Sequence, residues 1–160
     1  MKRVLSLIIG ILLLGVNTNA QQLPEFSIKD INNNLQTFND LKGEKLTLFD
    51  FWATWCKPCR KAIPELNKIY KAFQDKGVEI VGVNCDGPRS TAKVGPMTRS
   101  LNIRYPVLLD INSDLMNELN LANFPTLIAV NTKGKIVYVH EGFAIGDEVE
   151  IIDAIEKHID

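Results

Sequence analysis

The sequence predicts an α/β fold, a mixed central sheet with helices on both faces plus an N-terminal β-hairpin. Three observations carry this. Nearly continuous apolar runs at Leu46–Trp52 and Val78–Asn84 have the composition of central strands covered on both sides. Between them, from Pro58 to Lys76, Ala62, Ile63, Leu66, Ile69, Tyr70 and Phe73 recur at three- and four-residue steps, the period of an amphipathic helix. Late in the chain, Thr126–Asn131 and Lys135–His140 flank the turn Thr132-Lys133-Gly134, so a parallel βαβ arrangement is followed by an antiparallel hairpin.

Taken in order, residues 1–20 lie outside this fold. Lys2 and Arg3 make a basic start, Val4 to Val16 is apolar, and Asn17-Thr18-Asn19-Ala20 ends in small residues. This is the three-part pattern of a secretory signal peptide, with cleavage expected after Ala20 and residues 21–160 left as one domain. The apolar run is shorter than the roughly 20 residues of a bilayer span, so no stable membrane insertion is expected after cleavage. Phe26–Ile31 and Leu35–Phe38 alternate apolar and polar residues around Asn32-Asn33-Asn34, which reads as a hairpin. Asn39 to Gly43 reads as one helical turn closed by glycine.

In the long helix Pro64 removes a backbone hydrogen bond and is expected to kink it, and Gly77 stands at the C-cap position. Beyond the second central strand, a helix is expected from about Pro96 to Leu101 and a short strand over Tyr105–Leu109. A helix over Ser113–Leu121, capped by Ser or Asp, should follow. The last element, Asp147 to Ile159, is an amphipathic helix with Val149, Ile152, Ile155 and Ile159 on one side.

The chain is 46% hydrophobic and can bury a core without several disulfides. Its net charge of −1 gives no argument for a nucleic-acid partner or an anionic membrane. The three cysteines, Cys56, Cys59 and Cys85, are too few for a disulfide scaffold. A bridge between Cys56 and Cys59 would close a tiny loop and constrain little chain entropy. The pair therefore reads as a reactive couple or a metal site. Cys85, at a strand end, reads as a buried inert thiol rather than an exposed partner-forming one. His140 reads as a strand-end residue and His158 as a surface helix residue, with no metal ligand role expected.

Disulfide exchange needs a thiolate. Cys56 follows a strand and opens a helix, where unpaired N–H groups and the positive end of the dipole favour an anion. Lys57, Arg60 and Lys61 add positive charge. Pro58 is tolerated in the first turn because the N–H it lacks would be unpaired there. Cys56 is expected to be exposed and to attack, and Cys59, one turn deeper, to resolve the mixed disulfide. No cofactor beyond this redox-active disulfide and no metal are required.

The segment Asp50-Phe51-Trp52-Ala53-Thr54-Trp55-Cys56-Lys57-Pro58-Cys59-Arg60 resembles the active site of the thioredoxin superfamily, whose Cys-X-X-Cys motif is a standard example of this chemistry. Pro64 matches the helix proline of that group and Phe124-Pro125-Thr126 its cis-proline segment. The resemblance implies a thioredoxin-like fold, with Trp55, Lys57, Pro58, Phe124, Pro125 and Thr126 contacting substrate. The hairpin, the leader and the segment between Asn84 and Tyr105 resemble more closely the periplasmic reductases of the TlpA/ResA type. That likeness implies a periplasmic location, a disulfide-containing protein substrate and a membrane thiol carrier as electron donor. It also implies, for some members, reduction of apocytochrome c in cytochrome c maturation.

Two departures qualify the match. Those cytochrome-maturation reductases carry an acid three residues after the second cysteine, where this chain has Ala62. Asp50 instead stands where thioredoxin keeps a buried acid, and the lysine that pairs with that acid is replaced by Gly82. A desolvated carboxyl at Asp50 has a raised pKa and can take the proton of Cys59. The competing reading of Asp50 is a strand-end acid bonded to nearby backbone. Competing functions are a disulfide oxidase or isomerase, a copper-binding carrier using the two thiolates, and a docking domain.

Overall fold

The computed structural model describes residues 21–159, and the leader read at 1–20 falls outside them. The hairpin comprises β1 (Ile28–Lys29) and β2 (Leu35–Gln36), paired antiparallel around Asn33 at φ 68°. These strands are shorter than the alternation suggests, because Asp30 gathers the turn on itself. Its carboxylate accepts from the Asn32 and Asn34 backbone N–H groups at 2.8 and 2.9 Å. The helical turn α1 (Phe38–Leu41) starts one residue earlier than expected and closes with the Lys42 N–H donating to Phe38 O, not at Gly43.

The main sheet contains β3 (Leu46–Trp52), β4 (Val78–Asn84), β5 (Val107–Leu109), β6 (Thr126–Asn131) and β7 (Ile136–Glu141). Their spatial order is β5-β4-β3-β6-β7, with β3–β4 and β4–β5 parallel and β3–β6 and β6–β7 antiparallel. It is the mixed sheet the sequence predicts. All seven residues of β3 are buried, because it sits in the middle and is covered on both faces.

Leu46, Leu48, Asp50 and Trp52 alternate to one face, and Thr47, Phe49 and Phe51 to the other. On the first face lie α2 (Lys57–Phe73) and α5 (Asp147–Ile159), joining Leu66, Ile69, Phe73, Ile151 and Ile155 to Leu46 and Leu48. On the second, Leu41 of α1 and Leu115 and Met116 of α4 (Asp114–Glu118) pack on Phe49 and Phe51. Full burial of each such Leu or Ile stabilises the fold by about 1.5–3 kcal/mol.

Helix α2 passes into a 3₁₀ turn at Gln74–Lys76, and Gly77 then reverses the chain at φ 88°, a conformation open to glycine. Helix α3 (Val94–Ser100) begins before Pro96, because a 3₁₀ turn at Thr91–Lys93 leads into it. Tyr105 lies outside β5, with its ring buried. The expected cap of α4 is corrected. Ser113 is left-handed (φ 58°) and caps nothing; the Asp110 carboxylate accepts from the N–H groups of Asp114, Leu115 and Met116. The apolar side of α5 is corrected too, with Ile151 buried and Val149 59% exposed. Among the described residues, no helix is long and apolar enough to cross a membrane.

Candidate active site

The site forms where β3 ends. The chain leaves the sheet at Ala53, turns through Thr54 and Trp55, and enters α2 with Cys56 as its N-cap. A buried network fixes this turn. The Asp86 carboxylate accepts from the Thr54 N–H at 2.7 Å, the Thr54 hydroxyl at 2.8 Å and the Asn84 amide at 2.8 Å. Asp86 is 1% exposed, so it is a buried acid held by three donors, the condition under which such a group is tolerated. Asp86 was not among the sequence candidates. It lies 32 residues from Thr54, and no local pattern links the two.

Cys56 and Cys59 form a disulfide with Cα atoms 5.4 Å apart. The Cys59 N–H donates to Cys56 Sγ at 3.1 Å, so one of the unpaired donors of the first helical turn points at the first sulfur. Lys57, Pro58, Arg60 and Lys61 are exposed around it. The exposure expected of Cys56 is corrected. It is 4% exposed against 0% for Cys59, because both sulfurs pack in an apolar cluster with Trp52, Ala53, Ile63, Val94 and Val107. Cys56 remains the outer of the two. Pro64 lies within α2, which runs unbroken past it.

The Phe124–Pro125 peptide is cis. Thr126 pairs with Phe51, which sets Pro125 beside the end of β3 where the cysteine turn begins. Phe124 packs against the cysteine cluster, and its ring meets Trp55 edge-on at 5.6 Å. Trp55 is 65% exposed, a large apolar surface beside the disulfide. The Thr126 hydroxyl donates to Asn123 O at 2.9 Å and the Gly142 N–H to Pro125 O at 2.7 Å, so both sides of the proline segment are fixed. The structure thus sets Trp55, Lys57 and Pro58 next to the pair, Phe124 against its cluster and Pro125 at the end of β3, whereas Thr126 is fully buried between β3 and β7, which corrects the substrate contact expected of it.

Asp50 is 1% exposed, and its Oδ2 has no hydrogen-bond partner. The reading of a strand-end acid bonded to nearby backbone therefore has no counterpart. Burial pushes its carboxyl up to about 7. It lines a small cavity with Ala62, Leu66, Pro125 and His140. Ala62, which shares this cavity with Asp50 and Pro125, lies three residues after Cys59, one helical turn on. Cys85 is buried and free, and burial with nearby Asp110, Asp86 and Asp50 raises its thiol far above the usual range. His140 is held by the Tyr138 hydroxyl and Asp147, both at 3.2 Å. Among the described residues no group of three His, Cys, Asp or Glu side chains converges to hold a metal.

Residues 20–139 match the AhpC/TSA family. A thioredoxin-like protein of Bacillus subtilis, YneN, is 35% identical over 134 residues, 81% of this chain and 75% of that protein. The thiol-disulfide oxidoreductase ResA of Bacillus subtilis is 36% identical over 119 residues, 74% of this chain and 65% of its own length, just under two thirds. Among solved structures, the thioredoxin domain of a thiol-disulfide oxidoreductase from Bacteroides vulgatus superposes with a TM-score of 0.74 at 31% identity, covering 88% of this chain and 97% of that one. With the fold, the disulfide and these likenesses together, the chain belongs to the AhpC/TSA family, as a thioredoxin-like thiol–disulfide oxidoreductase.

Proposed function

We propose that this protein is exported and reduces disulfides of extracytoplasmic proteins, with Cys56 as the attacking sulfur, Cys59 as the resolving sulfur and Asp50 as proton acceptor. The observation that carries the reading is the Cys59 N–H aimed at Cys56 Sγ, with the unpartnered Asp50 carboxyl lining a cavity shared with Pro125 and with Ala62, one helical turn on from Cys59. In the reduced form the Cys56 thiolate attacks one sulfur of the substrate disulfide and the other leaves as a thiolate. Asp50 then takes the Cys59 proton. The resulting thiolate attacks Cys56 and frees the second substrate sulfur. Two electrons pass to substrate, and Cys56–Cys59 ends oxidised. A membrane dithiol carrier on the outer side returns the pair to thiols. Trp55 and Phe124 offer apolar surface to the substrate, Lys57 and Pro58 form the rim, and the Phe124-Pro125 backbone lies alongside it.

Residues 1–20 supply the export signal, and the periplasm is the compartment that fits it. Apocytochrome c is one substrate the ResA likeness suggests. Ala62, with Asp50 as the acid instead, favours a broader set of protein disulfides.

Equilibration with a thiol buffer tests the direction. A potential near that of thioredoxin, about −270 mV, is expected, and one at or above about −180 mV would make the protein an oxidase or isomerase. Cys59→Ser should hold substrates as mixed disulfides through Cys56, for identification by mass spectrometry. Asp50→Asn should slow insulin reduction across pH 6–9, and an unchanged profile would remove Asp50 from the mechanism.

A further inference from the structure

Three buried side-chain polar atoms among the described residues have no hydrogen-bond partner: Asp50 Oδ2, Trp52 Nε1 and the Tyr105 hydroxyl. They gather in one place. Asp50 and Trp52, two residues apart on β3, share the face turned to α2 and α5. Gly82 is the register partner of Asp50 on β4. A Cβ at Gly82 would stand 3.2 Å from Trp52 Nε1 and 3.3 Å from Tyr105 Cε2. Glycine at this position therefore lets the indole and the phenol ring close over β4 beside the carboxyl. Tyr105 is 5% exposed, and its ring is steadied edge-on by Tyr70 at 6.0 Å.

The three atoms are chemically complementary. An indole N–H can only donate, a phenol can donate, and an ionised carboxylate can only accept. Buried polar groups in folded proteins are paired, directly or through water, so three orphans around one glycine call for a common explanation.

We propose that Tyr105 is a positioning residue for the thiol chemistry: its hydroxyl donates through one water to the ionised Asp50 carboxylate and keeps that carboxylate ready to accept the Cys59 proton. The proposal rests on the reading of Asp50 as proton acceptor. Tyr105 stays a donor throughout, because burial and the charge of Asp50 push its own ionisation well above the usual range. The other titratable groups around Asp50 are few. Helix α2 brings Cys59 one turn from Ala62. Strand β7 brings His140 to the shared cavity, already held by Tyr138 and Asp147. The end of β4 brings the unionised Cys85 thiol. Helix α5 brings only Ile151 to that cavity.

The test is a pH titration of the Asp50 carboxyl carbon by NMR, in wild-type protein and in Tyr105→Phe, beside the pH profile of mixed-disulfide release. Loss of the hydroxyl should raise the Asp50 midpoint by about one pH unit or more. The release profile should move by the same amount, while alkylation of Cys56 keeps its wild-type rate. An unmoved midpoint overturns the proposal. Should Tyr105→Phe fold poorly, the wild-type hydroxyl proton of Tyr105 serves instead. It should shift downfield with the Asp50 midpoint, and a resonance indifferent to pH overturns the contact. An unaltered release profile in Asp50→Asn strikes the acceptor role alone, and the carboxyl midpoint still decides the Tyr105 contact.

Discussion

Replacing Asp50 with Asn should stabilise the protein, and by an amount that depends on pH. The carboxyl is fully buried without a partner, and burial raises its pKa from 3.8 to about 7. In the unfolded chain it ionises near pH 4. Between these values the unfolded state has released a proton that the folded state still holds, so stability falls as pH rises through this window. Below about pH 4 the group is neutral in both states and costs nothing. Above about pH 7 the full penalty applies, roughly three pKa units or about 4 kcal/mol. Each unit by which a Tyr105 hydrogen bond favours the carboxylate takes about 1.4 kcal/mol off that figure. Asn matches the shape of the protonated acid and carries no charge. Urea unfolding of the oxidised protein should therefore favour Asp50→Asn by only about 0.5 M at pH 4.5, where about 1 kcal/mol of the penalty is felt, and by far more at pH 8. At about 2 kcal/mol per molar urea, 4 kcal/mol is a midpoint shift of about 2 M. A difference between the two proteins that stays constant from pH 4.5 to 8 would refute the claim that Asp50 is a desolvated, titrating carboxyl.

Three other outcomes can be checked. Asp86→Ala leaves the Thr54 N–H, the Thr54 hydroxyl and the Asn84 amide without their acceptor, and should cost about 3 kcal/mol in urea unfolding. Asp110→Ala strips the start of α4 of its acceptor and should cost about 1–2 kcal/mol, while Ser113→Ala stays within about 0.5 kcal/mol, both read from the same unfolding curves. In the reduced native protein iodoacetamide should add one label readily, at Cys56, with Cys59 following slowly and Cys85 taking a label only after denaturation, because the Cys85 thiol is buried and held protonated.

Much of the scaffold was legible from local pattern. The bounds of β3, β4, β6 and α5 agree with the sequence reading, because long apolar runs and a clean helical period leave little choice of state. The cysteine turn, the helix it opens and the proline before β6 were legible for the same reason: each is a contiguous motif. What escaped depends on residues far apart in the chain. Asp110 caps α4 from the end of β5, farther back than the Ser or Asp at the helix start that a local reading offers. Ile151 rather than Val149 is buried because the sheet, not the helix period alone, decides which edge of the apolar stripe is covered. A helix tip reads as exposed, but the Trp52 and Val94 packing that covers Cys56 comes from other elements. Asp86 and Tyr105 carry no motif, and only the topology brings them to the end of β3 and to Asp50.

The most direct measurement is the alkylation rate of each sulfur at pH 7, with Cys56 read in Cys59→Ser and Cys59 read in Cys56→Ser. The account predicts that Cys56 reacts at least about tenfold faster than Cys59, as the sulfur at the start of α2 among exposed Lys57, Arg60 and Lys61. Equal rates, or a faster Cys59, would contradict the assignment of Cys56 as the attacking sulfur.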